Sequence, residues 1–299
     1  MINNTTPEDS FDVNLLLDES FTTRGIDLTR SLTLANQALT LSRKLDDKPL
    51  ISKSLCQLSL FYMIRGEYKR SLAMANEAIK YYKDLGDERG VADAKYSIAG
   101  VLYKTDNFHL GLIHLVECLV IYRKYNDSYN LARVHKSMAT IYEYFGDHKN
   151  AVRAYKNSII CARKIKDSDL IANVYNPLSG IYLKQNKTQK ATELIDKAIA
   201  IKKRTGDVRG LAFSYYGRGK IYASLGRFQE AAHELQNAID IHIEFGERLG
   251  LGMAYYRLGA LYLETGQIDK ARDILERGLA FSTRYNIVII KIKCNNYLY

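Results

Sequence analysis

The chain has 299 residues, 47% of them hydrophobic and 25% charged, and a net charge of +10, which is an ordinary soluble composition. It contains no run of about 18 apolar residues, which excludes a membrane-spanning helix. Its polar, acidic start, MINNTTPEDSFDVN, lacks the basic and apolar regions of a secretory signal.

Taken in order, residues 1–7 read as a disordered lead-in that closes on a helix start. Thr6 stands at the N-cap, Pro7 at the first helical position, and Glu8 and Asp9 in the first turn, where acids meet the positive end of the helix. Phe11, Leu15 and Leu16 give that helix an apolar side, and it is expected to end near Gly25. With only three prolines in the chain, little interrupts the helices that follow.

From there a 40-residue period runs to the end. A turn falls at Gly66, Asp106, Gly146, Asn186, Gly226 and Gly266, all residue types that accept left-handed backbone or cap helices. Four residues before the turn stand Tyr62, Tyr142, Tyr182, Tyr222 and Tyr262, with Leu102-Tyr103 in the shifted copy. Five after it come Ser71, Gly111, Ala151, Ala191, Ala231 and Ala271; twelve after it come Ala78, Cys118, Ser158, Ala198, Ala238 and Gly278. Small residues there let paired helices approach closely. A second turn brings Asp47, Asp87, Asp127, Asp167, Asp207 and Glu247, each placed to cap the next helix.

The pattern predicts an all-α ladder of antiparallel helices over residues 8–299, with about six full copies and an incomplete last one. First helices are expected near 49–64, 88–104, 128–144, 168–184, 208–224 and 248–264. Second helices are expected near 27–45, 68–84, 108–125, 148–165, 188–204, 228–244 and 268–285. Ile287 to Lys293 is β-branched enough to suggest a strand, but the frame puts a helix start there and a helix is expected. Cys294 to Tyr299 matches the middle of a first helix with no second helix after it, which reads as a piece of a longer protein.

The unit Tyr215…Gly219…Tyr222…Gly226-Arg-Phe…Ala231…Leu235…Ala238-Ile239 resembles the tetratricopeptide repeat. Its period exceeds the common form of about 34 residues, and longer helices are expected to absorb the difference. The junction Gly206-Asp207…Gly210-Leu211-Ala212 is similar to that of long-repeat scaffolds of the LGN/Pins type. It also resembles the sensor regions of bacterial signalling proteins, as does the stretch from Leu32 to Leu39. The resemblance implies a right-handed solenoid (an α-α superhelix) whose first helices line a concave groove. It places Tyr96, Tyr103, Arg133, Lys136, Tyr144, Asn173, Asn176, Lys184, Phe213, Tyr216, Lys220 and Tyr256 at that groove. An amide can bond a peptide backbone both ways, tyrosine offers rigid contact area, and lysine and arginine favour carboxylates. The expected occupant is an extended or helical acidic peptide centred on Arg133, Lys136, Asn173, Asn176 and Lys220. The competing reading is a groove of solvated residues with no ligand.

Pro177 falls inside a first helix, where it removes one hydrogen bond and is expected to bend the helix. Cations gather on the second helices and their ends, at Lys149, Arg153, Lys156, Arg163, Lys164 and Lys166, then Lys187, Lys190, Lys197, Lys202, Lys203 and Arg204. A solvated face is one reading; a nucleic-acid surface is the other, although no nucleic-acid-binding motif accompanies it. No catalytic residue, metal site or cofactor is expected. His109 and His114 lack the i, i+4 spacing of a helical metal pair. The glycine pairs Gly217/Gly219 and Gly250/Gly252 follow no strand, as a phosphate loop requires. Cys56, Cys118, Cys161 and Cys294 lie far apart, so free, partly buried thiols in a reducing cytosol are expected. The expectation is a cytoplasmic protein-interaction module, sensory or scaffolding in a signalling protein, with a nucleic-acid-associated regulator as the alternative. Nothing in the sequence names the partner or the oligomeric state.

Overall fold

In a computed structural model, the structure describes residues 7–298, with side chains from residue 10. The lead-in and its Thr6 cap lie outside the described residues, except that Pro7 opens the first helix as expected. Fifteen helices and no strand occur among the described residues: α1 (Pro7–Thr23), α2 (Leu28–Lys44), α3 (Lys48–Arg65), α4 (Tyr68–Asp84), α5 (Glu88–Lys104), α6 (Phe108–Lys124), α7 (Ser128–Tyr144), α8 (His148–Lys164), α9 (Ser168–Lys184), α10 (Thr188–Thr205), α11 (Val208–Ser224), α12 (Phe228–Phe245), α13 (Arg248–Glu264), α14 (Ile268–Arg284) and α15 (Val288–Leu298). The first helices of the repeat are thus the odd-numbered ones. α9 runs unbroken through Pro177, and the β-branched stretch after Ile287 is the helix α15.

The turns have a local cause. Gly66, Asp106, Gly146, Asn186, Gly226 and Gly266 all have positive φ, between 59° and 86°. The same holds at the second turns, from Asp46 to Asn286. One left-handed residue reverses the chain in the space of two or three positions. The next helix then starts on a carboxylate. Asp47, Asp87, Asp127, Asp167 and Asp207 accept from the amides of Leu50, Gly90, Asn130, Leu170 and Gly210 at 2.8–3.0 Å, and Glu247 accepts from Gly250. Such a cap contributes about 1 kcal/mol.

The chain divides into two compact units, residues 1–171 and 172–299, with the boundary inside α9. In unit 1 α2, α4 and α6 each pack against the odd helices on either side, α8 packs against α7, and α1, α3, α5 and α7 touch in succession. Its core includes Phe61, Leu115, Tyr122, Val134 and Ile141, each at most 1% exposed. In unit 2 the same order runs from α10 to α15, with α11, α13 and α15 in succession. Leu235, Ile239, Leu258 and Leu261 centre its largest core cluster.

The expected small positions are the contact points. Ala78, Cys118, Ser158, Ala198 and Ala238 are all at most 1% exposed. Where one of them carries a polar atom, that atom is used. The Cys118 thiol and the Ser158 hydroxyl donate to the carbonyls of Ala92 and Ala132, at 3.2 and 2.7 Å. The tyrosines four residues before the turn are half-buried at the rim of the core. Arg70, Arg227 and Lys270 from the following turn cover Tyr62, Tyr222 and Tyr262 at 4.2–5.7 Å.

Two glycines separate packing from propensity. A Cβ on Gly90 would fall inside the Tyr82 ring, whereas one on Gly180 meets nothing within 4 Å. Gly90→Ala is expected to destabilise the chain by about 1–3 kcal/mol through overpacking, more than the ~1 kcal/mol of helix propensity it gains. Gly180→Ala keeps that gain and is expected to stabilise. Urea unfolding of the two variants checks both signs.

Candidate functional site

In unit 2 the odd helices bring a group of tyrosines and cations together. Tyr216 on α11 faces Tyr256 and Arg257 of α13, and burial pushes its hydroxyl up to about 12. Lys220 lies 5.8 Å from the Tyr216 ring. Tyr256 meets Tyr297 of α15 edge-on at 5.6 Å, and Lys293 stands 5.2 Å from its centroid. Asn176 of α9 has its amide oxygen where a Cβ on Gly217 would be, so the missing side chain of Gly217 is what seats it. Tyr216, Lys220, Tyr256 and Asn176 thus lie on neighbouring odd helices. Asn173 is half-buried and Lys184 exposed, both on α9.

Phe213 turns elsewhere. It packs edge-on against His242 of α12, 4.9 Å away, under the Arg209 guanidinium at 5.2 Å. Its position in the repeat is that of Asp93, which faces Tyr122 in the same way. The residue type changes, and the direction toward the following even helix does not.

In unit 1 the odd-helix face is knitted to itself. Arg133 lies 4.2 Å from the Tyr96 ring and 5.5 Å from the Tyr129 ring, and donates to the Asn130 amide oxygen at 2.8 Å. Burial opposes its charge, but Tyr96, Tyr129, Tyr122 and Asp93 outweigh that and raise its pKa. Tyr96 shares a 3.0 Å hydrogen bond with Ser137. Arg24, just past α1, donates to the Tyr129 hydroxyl at 3.2 Å, and Phe21 meets the Tyr129 ring at 6.4 Å. The end of α1 therefore reaches the start of α7. Lys136 is half-buried on α7.

Tyr103 and Tyr144 form a separate group. Both pack on Phe108, Tyr103 edge-on at 5.6 Å and Tyr144 stacked at 3.7 Å. Phe145 and His109 complete this aromatic edge beside the turns. Burial pushes the Tyr103 hydroxyl up to about 12, with Glu143 and Asp106 adding to the effect.

Sequence reasoning missed Arg257, Lys293, Tyr297 and Tyr129. A signal for two of them exists: at 40-residue spacing Gln57, Ser97, Ser137, Pro177, Gly217, Arg257 and Tyr297 share one position, and it carries a large side chain with a polar end only in the last two and at Gln57. Among the described residues, no cluster of three or more His, Cys, Asp or Glu could hold a metal. All four cysteines are free, Cys118 and Cys294 buried, Cys56 and Cys161 half-buried. No helix of the described residues is long and apolar enough to cross a membrane.

The family model described as Tetratricopeptide repeat matches residues 170–241 and again 210–284. One described as Anaphase-promoting complex subunit 5 matches residues 103–181. A search of curated proteins returned no match. Among solved structures, a Rap protein complexed with Competence and Sporulation Factor has a TM-score of 0.73 at 17% identity, over 95% of this chain and 80% of that one. NprR in complex with its cognate peptide NprX gives 0.65 at 15% identity, over 97% and 83%. A signal transduction ATPase with a tetratricopeptide repeat sensor, from Pyrococcus horikoshii, gives 0.62 at 17% identity; this chain is 99% covered and spans 42% of that one. At such identities the likeness is one of fold. The family match identifies tetratricopeptide repeats over residues 170–284, and the whole chain shares the helical-repeat fold of these structures. The specific likeness to LGN/Pins-type scaffolds is not among what the comparisons show.

One group in unit 1 carries a pH signature. Asp93 accepts from the Tyr122 hydroxyl at 2.7 Å and from the Asn130 amide at 3.3 Å. Burial raises its pKa, with Tyr122, Arg133 and Arg89 pulling the other way. A raised folded value means that its favourable contribution is complete below the unfolded value of about 3.9 and is lost as pH rises through the folded one. Asp93→Asn keeps an acceptor and removes the titration. The melting temperature of the variant relative to the parent is expected to climb between pH 4 and pH 7, as thermal unfolding at stepped pH will show.

Proposed function

We propose that the chain is a protein-interaction module that binds a peptide, extended or helical and acidic in character, along its odd-helix face. The observation that carries this reading is the unit 2 group: Tyr216 and Tyr256, each packed against the core on one side, brought together with the cations Lys220, Arg257 and Lys293. Tyrosines supply contact area at little entropic cost. The cations favour carboxylates through charge-assisted hydrogen bonds. Asn176 brings both a donor and an acceptor for a peptide backbone.

Asn173 and Lys184 extend the proposed lining in unit 2; the odd-helix face of unit 1, taken by itself, offers Arg133 and Lys136. In this reading Arg133 acts as a fixed positive centre held by Tyr96 and Tyr129, while Phe213 supports the unit 2 face from behind. Tyr103 and Tyr144 contribute an aromatic lip. Rap and NprR were solved with a factor and with a cognate peptide, and a regulatory, peptide-responsive role in the cytoplasm is the setting this favours. The reading needs no catalytic group and no cofactor.

A nucleic-acid reading draws on one observation, the absence of any acidic residue from α8. Sequence-tolerant binding of that kind loses affinity steeply with salt. It gives no role to the tyrosine–lysine group.

A peptide array probed with the full chain tests the proposal. Bound peptides are expected to be rich in Asp and Glu. Lys220→Glu and Tyr216→Ala, each checked for an unchanged helical spectrum, are expected to weaken them at least tenfold, and Lys136→Glu to act in the same direction. Peptides that bind parent and variants alike would refute the assignment.

A further inference from the structure

The repeat provides an internal control for what its outer face needs. At four outward positions, α4 carries Arg70, Ala73, Asn76 and Lys80, and α8 carries Asn150, Arg153, Lys156 and Ile160. α6 carries Leu110, Ile113, Val116 and Val120, which are 53%, 54%, 45% and 60% exposed. Their spacing puts them on one side of the helix, in a stripe about 15 Å long at 1.5 Å per residue. The fold does not require them, since the neighbouring even helices form with mostly polar residues at the same places, Ala73 and Ile160 being the exceptions. Contiguous exposed apolar surface of this kind marks an interaction site.

The border of the stripe is as distinctive. α8 lies beside α6: the His109 ring is 4.9 Å from that of Phe145, which leads into α8, and the Arg123 charge acts on Cys161. Lys149, Arg153, Lys156, Arg163 and Lys164 of α8 are all exposed. Ile160, in register with Val120, is 53% exposed and widens the apolar strip. The single acid of α6, Glu117, is held by Lys95 at 2.9 Å and His114 at 3.3 Å.

We propose that this outer face of unit 1 is a second docking surface, and that its occupant is an acidic amphipathic helix of a partner protein. Short aliphatic side chains flanked by long lysines and arginines make a trough, which suits a helix laid into it. Acidic residues beside the apolar face of that helix meet the α8 row. The charges disfavour a second copy. A two-fold pairing of stripe on stripe sets α8 over the α4 of the other molecule, whose outer face carries exposed Lys69, Arg70, Lys80 and Lys83. Nucleic acid would use the cations and leave the aliphatic strip wet.

A displayed library of 18-residue helical peptides, selected on the full chain, tests this. The counter-selection uses the chain carrying Ile113→Asp and Val120→Asp, exposed sites whose change is expected to leave the melting temperature unaltered. Enriched peptides are expected to pair an apolar i, i+3, i+4 stripe with flanking Asp or Glu. A synthesised winner is expected to bind the parent at least tenfold tighter than it binds the double variant or Arg153→Glu/Lys156→Glu. Lys220→Glu is expected to leave this binding unchanged, which separates it from the odd-helix face. No enrichment over the double variant, or winners without acidic bias, would overturn the proposal. So would binding of phosphatidylserine vesicles, of an RNA oligomer, or of the chain to itself in sedimentation, where the parent shows it and the Ile113→Asp/Val120→Asp variant does not.

Discussion

The structure depends on how closely each even helix can approach the odd helix before it. At Gly219 and Ala231 the two backbones come so near that a Cβ on Gly219 would sit 3.2 Å from the Ala231 carbonyl oxygen. Two small residues facing each other make that distance possible, and the other copies keep a small residue on the even-helix side with Ser71, Gly111, Ala151, Ala191 and Ala271. A helix pair held this tightly leaves room for only a short reversal, so the turn must contain a left-handed residue. The next helix must then begin at once, on a carboxylate that satisfies its first amides. Packing, turn and cap are one solution to one steric requirement.

That coupling explains what could be read from the sequence. Turn residues, caps and small positions are local, and a 40-residue frame lets each copy vouch for the others. The frame even overrides propensity: the β-branched run after Ile287 would be a strand by composition, and its register makes it α15. Side-chain direction on the odd helices is another matter. Whether a residue looks toward the next odd helix or back toward its own even helix depends on how successive helices rotate, and one copy's register does not carry that. Phe213 and Tyr216 lie three residues apart, yet one packs on His242 and the other faces Tyr256 and Arg257. Tyr144 looked like a groove residue and stacks on Phe108 beside a turn. Arg133 is expected at the centre of a peptide groove, and two rings and an amide clasp it.

With its packing side occupied by small and aliphatic residues, a repeat of this kind has only its two outer surfaces on which to differ from its neighbours. The differences found here are not spread evenly. The odd helices of unit 2 vary in aromatic and basic residues; in unit 1 the variation on the outside is concentrated in a single helix, α6. Both are departures from the average copy, and averages are what fold requires. Residues that depart from it without improving the packing are where selection for something else becomes visible.

The junctions between copies add a constraint of another kind. Tyr82 fills the space under Gly90. At the equivalent place in unit 2, Lys202 is buried and paired with Asp207 at 2.6 Å beneath Gly210, and one copy later His242 lies beneath Gly250 beside Glu247. Each of these locks has its own key. A chain of near-identical modules can gain or lose a module by unequal recombination and still close its core. Here a deletion that set Tyr82 beneath Gly210 would replace the ammonium that pairs with Asp207 by an uncharged ring, and the carboxylate would lose its partner. The copies share one plan, but they are no longer interchangeable parts, and their order has become part of the fold.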